Sequence, residues 1–176
     1  MSFELSGSLI IPKKENGLIN SDKGALREFW SYVDESYGDS ISCAVGCYVY
    51  SIRAGKGILP WYVGLAEKQV FSDECFSTSK LNYYNDAIAA RKGTPELFLI
   101  IRTTEGGKIS KPTVNEYKDV QTLESMLIKT CIDRNPELYN IKETKYLREM
   151  VVPGYLNNPK GRDTKRIKEL QEILIK

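Results

Sequence analysis

Histidine is missing from all 176 residues. Its absence excludes Ser-His-Asp and Cys-His catalysis, His-ligated zinc or copper, and imidazole acid/base chemistry. Proton transfer is left to Tyr, Lys, Glu, Asp or metal-bound water. Long apolar runs are also missing: nothing approaches the stretch of about 20 residues that spans a bilayer. The opening MSFELSGSLIIPKK has no basic start leading into a long apolar core. The chain is therefore expected to be soluble and cytoplasmic, with no membrane partner. There is no CxxC pair. Cys43, Cys47, Cys75 and Cys131 carry no metal spacing, and Cys43 and Cys47 are expected on one face of a strand. Buried free thiols in a reducing compartment are the expectation. Net charge is nearly absent, +2 from 25 Lys+Arg against 23 Asp+Glu, so the total favours neither presence nor absence of a nucleic-acid partner.

What is present is enough apolar material, 41% of residues, to close one core. The pattern divides into a strand and helix extension over 1–40 packed on the core, a central domain over 41–155, and a C-terminal helix over 156–176. FELSGSLIIP predicts a short strand. Ser21 is placed to cap a helix over 22–36, where Leu26, Phe29, Trp30 and Val33 recur at helical spacing. Residues 41–52 alternate as a strand that points Tyr48 and Tyr50 to the same side. RAGKGILP then turns the chain into an antiparallel neighbour at 61–66, bringing Tyr62 toward Tyr48. A short helix over 71–76 follows, then a second helix capped by Ser79. ELFLIIRT at 96–103 is a near-continuous apolar run, hence a buried central strand. Tyr146–Val152 is expected as an edge strand. Asp163 would cap a last helix, with Lys160, Arg162, Lys165 and Arg166 at its start either docked as an ordinary solvated face or laid along phosphates.

The helix expected over 115–133 carries an anomaly. Tyr117, Val120, Leu127, Ile128 and Cys131 make one apolar sector, and Glu124 falls near its middle. A carboxylate there must be paired, hydrogen-bonded or bound to a cation, because an isolated buried charge costs several kcal/mol (roughly). A glutamate at the sector's margin that bonds a buried tyrosine is the structural alternative.

Four marks then stand in order: Gly46-Cys47-Tyr48, Tyr62-Val63-Gly64, the helix segment Leu123-Glu124-Ser125-Met126-Leu127-Ile128, and Asn135-Pro136-Glu137-Leu138-Tyr139-Asn140. Over residues 43–152 this order resembles the GIY-YIG nuclease superfamily. The resemblance implies an α+β fold, a small antiparallel sheet flanked by helices, and phosphodiester hydrolysis with a single Mg2+ or Mn2+. It implies Tyr48 and Tyr62 as the motif tyrosines and Gly64 as the tight glycine beside the scissile phosphate. Glu124 would be the metal ligand and Asn140 a polar residue that helps hold the site. Nucleic acid would be the partner, DNA placed ahead of RNA, with a homodimer left open. Magnesium keeps several waters, so one carboxylate plus substrate phosphate suffices as an anchor. A tyrosine base would need its pKa lowered from about 10 by the cation or a lysine, and Lys68 is the nearest along the chain.

One departure stands out. The family carries an arginine on the helix after the second motif, where it clamps the phosphate. Here that stretch reads Phe71-Ser72-Asp73-Glu74-Cys75-Phe76. Lys80 and Arg53 are the candidate replacements, although an ammonium cannot make a guanidinium's bidentate contact. Two further readings stay open: a catalytically impaired module of the same fold that binds nucleic acid or protein, and a structural protein whose tyrosines are strand aromatics.

Overall fold

A computed structural model describes residues 2–37, 40–140, 144–152, 157 and 165–174. The chain forms two compact units, Met1–Asn140 and Ile141–Lys176, so the division falls after Asn140 and not near 155. The first unit contains β1 (Ser2–Leu5), β2 (Leu9–Ile10), α1 (Lys23–Tyr37), β3 (Gly46–Ala54), β4 (Gly57–Ala66), α2 (Phe71–Glu74), α3 (Thr78–Ala90), β5 (Thr94–Thr103) and α4 (Lys118–Arg134). All strand pairings are antiparallel, in the order β1-β5-β3-β4, with β2 also paired to β5. The fold is α+β. Residues 1–40 supply two of its strands and a core helix, so they are part of the sheet domain.

β5 reads as a continuous apolar run because both faces of the sheet are covered. On one face Tyr48, Tyr50, Leu97, Leu99 and Ile101 pack with Phe29, Trp30 and Val33 of α1, Phe71 of α2, and Tyr84, Ala87 and Ile88 of α3. On the other face the Cys47 thiol donates to the Val120 carbonyl at 3.3 Å. This places α4 there, with Val120, Ile128, Cys131 and Ile132 buried. The β3–β4 hairpin turns through Gly55 at φ +59°, a left-handed conformation that glycine adopts without strain. Its register sets Tyr48 opposite Gly64 and Tyr50 opposite Tyr62, with a shift after Tyr50.

Several elements differ from the sequence expectation. The strand expected from 41 starts at Gly46, because the Asp34 carboxylate accepts the Ser42 N–H at 2.8 Å and the Ser42 hydroxyl at 2.6 Å, beside a helical turn at Ile41–Cys43. Cys43 therefore leaves the strand face and is exposed, while Cys47, Cys75 and Cys131 are buried, all four unpaired by disulfides. The first strand is two strands. Between them Ser6 takes over the ladder: its N–H donates to the Leu99 carbonyl at 2.9 Å and its hydroxyl oxygen accepts the Leu99 N–H at 2.8 Å. The helix after Phe76 begins at Thr78 behind Ser77, not behind Ser79.

In the second unit the segment expected as an edge strand forms α5 (Lys145–Glu149). Helical bonds close there from the Arg148 N–H to the Thr144 carbonyl and from the Met150 N–H to the Tyr146 carbonyl. Lys, Leu, Arg and Glu are good helix formers, and over Lys145–Glu149 this preference prevails. α6 (Lys165–Leu174) is the C-terminal helix. Asp163, Lys160 and Arg162 lie outside the described residues. Among the described residues no helix is long and apolar enough to cross a membrane.

Candidate functional site

The sheet register brings the two motif tyrosines together. Tyr48 and Tyr62 lie on the same face, with ring centroids 6.2 Å apart. Gly64 sits under the Tyr48 phenol, for a Cβ there would stand 2.3 Å from Cζ and 2.4 Å from Oη of Tyr48. Only a residue without a side chain permits that approach.

Around this pair α2 and α3 supply a polar cluster. The Lys80 ammonium lies 5.3 Å from the centroid of the Tyr62 ring, and its charge works to lower the phenol's pKa. It also pairs with the Glu74 carboxylate at 3.4 Å. Burial works against the Lys80 charge, but Tyr62 and Glu74 outweigh it and hold its pKa above the ordinary lysine value. Burial raises the pKa of Tyr62, and Lys80 only partly offsets that. Burial pushes the Tyr48 phenol well above its ordinary range, with Tyr84, Cys75, Tyr62 and Glu74 adding to the shift. The Tyr48 hydroxyl is fully enclosed and has no hydrogen-bond partner among the described residues, and the same holds for Tyr84. Neither motif tyrosine is therefore poised as a base at neutral pH. Both keep their protons.

Glu124 approaches from α4. It follows buried Val120 and precedes buried Ile128 by one turn each, and it is itself half-buried. Its charge acts on Tyr62 and on the Cys47 thiol, raising both pKa values in addition to the larger effect of burial. β4 is the outermost strand on this path of the sheet and α4 packs against it. A carboxylate on α4 thus comes within electrostatic range of a tyrosine on the opposite face. Among the described residues no group of three or more His, Cys, Asp or Glu is arranged to hold a metal ion.

Asn140 has a different geometry from that of a side chain meeting substrate. It is buried, its carbonyl oxygen accepts the Val63 N–H at 2.8 Å, and its amide donates to the Val63 carbonyl at 2.7 Å. The side chain acts as one more rung on the outer edge of β4. Asn135 donates to the Pro60 carbonyl at 2.7 Å, and the Tyr139 N–H donates to the Trp61 carbonyl at 2.9 Å. The whole 135–140 segment seals that edge.

Lys68 is exposed in the turn after β4, and Lys80 is the lysine that reaches Tyr62. Arg53 is committed elsewhere: its guanidinium forms a bidentate pair with buried Glu96, at 2.5 and 2.9 Å. Three participants escaped the sequence reading. Tyr83 stacks on Tyr62 at 5.5 Å and Tyr84 on Tyr50 at 4.0 Å. The adjacent aromatics on a helix following the motif were a visible signal for both. Glu67, buried behind the site, lay in a polar stretch with no periodicity to mark it. No family model, curated protein or solved structure matches the chain.

Proposed function

We propose that the chain is a metal-dependent phosphodiesterase acting on nucleic acid, of the GIY-YIG type, with Tyr48, Tyr62, Gly64, Lys80 and Glu124 as its working residues. The observation that carries this reading is the juxtaposition at Tyr62. Tyr48 packs 6.2 Å from Tyr62 ring to ring, the Lys80 ammonium lies 5.3 Å from the same ring, and the charge of half-buried Glu124 on α4 raises the Tyr62 pKa. Glu124 would hold a divalent cation, which supplies Lewis acidity at the phosphoryl group and lowers the pKa of a water.

The chain's own residues do the rest. Lys80, kept protonated by Glu74 and Tyr62, places one positive charge where negative charge develops on phosphoryl oxygens. Tyr62, with a raised pKa, donates a hydrogen bond to a phosphate oxygen or a water and keeps its proton. Gly64 admits the Tyr48 phenol against β4, and Asn140 fixes β4 so that the positions of Tyr62 and Gly64 are set together.

A second reading, a module of this fold that binds nucleic acid or protein without turnover, is favoured by two specific observations. Lys80 is already paired with Glu74, and the Tyr48 hydroxyl is sealed from solvent. The test is incubation of the purified chain with supercoiled plasmid, single-stranded DNA and structured RNA, with Mg2+ or Mn2+ and with chelator. Metal-dependent cleavage abolished in Glu124→Ala, and reduced about a hundredfold in Lys80→Ala but hardly in Lys68→Ala or Lys165→Ala, is the outcome expected of the enzyme. Binding that weakens steeply with salt and is never followed by cleavage would establish the module.

A further inference from the structure

We infer that Glu67 is a positioning residue that sets the first turn of α4 and through it the place of Glu124, an inference that rests on the nuclease reading. Glu67 lies three residues beyond Gly64 and is only 6% exposed. Its carboxylate accepts the backbone N–H of Tyr117, the residue that precedes α4. It also takes the Gln121 amide, at 3.2 Å to one oxygen and 3.1 Å to the other. A negative group there meets both an unsatisfied donor and the positive end of the helix dipole.

The same turn is held from two other strands. Arg102 of β5 pairs with Asp119 at 2.7 Å, donates to the Ser110 hydroxyl at 2.8 Å, and lays its guanidinium 4.3 Å from the Tyr117 ring centroid. Cys47 of β3 bonds the Val120 carbonyl. Glu124 stands three residues after Gln121 and four after Val120, directly above this clasp on the same side of the helix. The carboxylate that leaves β4 thus couples the strand bearing Tyr62 and Gly64 to the helix bearing Glu124. A shift of either element would move the tyrosine and the carboxylate apart.

The experiment is Mn2+ titration of the full chain, followed by electron paramagnetic resonance, with Glu124→Ala, Glu67→Ala, Glu67→Gln and Gln121→Ala. Glu96→Gln serves as a control that disturbs a different buried carboxylate. The expected result is binding lost in Glu124→Ala, weakened about tenfold in Glu67→Ala, weakened less in Glu67→Gln and Gln121→Ala, and unchanged in Glu96→Gln. Amide exchange in the first turn of α4 should quicken in the same order. If Glu67→Ala does not fold, Glu67→Gln and Gln121→Ala carry the comparison. Unchanged Mn2+ affinity in the folded Glu67 and Gln121 variants, with Glu124→Ala inactive in binding, overturns the positioning role alone. Absence of Glu124-dependent binding in the unmodified chain overturns the nuclease reading together with it.

Discussion

The phenol of Tyr48 rests on the α-carbon of Gly64, 2.3 Å from where a methyl group would stand. Because Tyr48 is wholly enclosed, its ring has no room to swing away. Gly64→Ala is therefore expected to destabilise the fold by about 1–3 kcal/mol through overpacking alone. The drop in thermal midpoint measures it, and a midpoint within a degree or so of the parent would mean that the ring yields freely.

Among the described residues the hydroxyls of Tyr48 and Tyr84 are enclosed without partners. Removing an unsatisfied buried hydroxyl is neutral or stabilising, so Tyr84→Phe should keep or raise stability by up to about 1 kcal/mol. Tyr48→Phe should do the same in urea unfolding while reducing cleavage if the Tyr48 hydroxyl serves the reaction. A clear loss of stability in either variant would indicate a hydrogen bond to bound water at that oxygen.

Asn140 satisfies both backbone groups of Val63 from the side. Asn140→Ala leaves a buried N–H and C=O exposed to neither water nor partner, at a cost of about 1–3 kcal/mol. Asn140→Asp keeps the acceptor for the N–H but sets a carboxylate against the Val63 carbonyl, so it should not rescue. Hydrogen exchange at the Val63 amide reports the defect locally: rapid exchange in both variants is expected, and full protection in Asn140→Asp would contradict the geometry.

Glu96 is buried and would be raised by that burial, yet the Arg53 guanidinium holds its pKa below the usual carboxylate value. A folded-state pKa below the unfolded one gives stability that is present above the unfolded value and is lost as pH falls through the folded one. The acid limb of the stability curve, below about pH 4, should thus be flatter in Glu96→Gln than in the parent chain. Unfolding midpoints measured from neutral pH downward decide it, and parallel acid limbs would remove Glu96 from the account.

Much of the sheet domain was legible in local pattern. Alternation from Gly46 onward placed Tyr48 and Tyr50 on one face, and the register confirms that they share it. The unbroken apolar run at β5 marked a strand covered on both sides, and the helical projection set Glu124 among buried positions. Periodicity conveys such facts because each residue's face follows from its own strand or helix. The same reasoning failed at Ile41–Cys43, where a carboxylate eight residues back in the chain captures Ser42, and at Lys145–Glu149, where good helix formers close a helical turn.

By itself, then, the amino-acid order determined the missing imidazole chemistry, the central strands and the approach of Tyr48 to Tyr62 across a hairpin, since these depend on composition and near neighbours. Tertiary structure alone decided that Lys80 and not Lys68 reaches Tyr62, that Arg53 is spent on Glu96, that Asn140 seals an edge, and that Glu67 clasps α4. Each of those is a contact between elements remote in sequence, and charged side chains choose partners by distance and burial, which no local periodicity encodes.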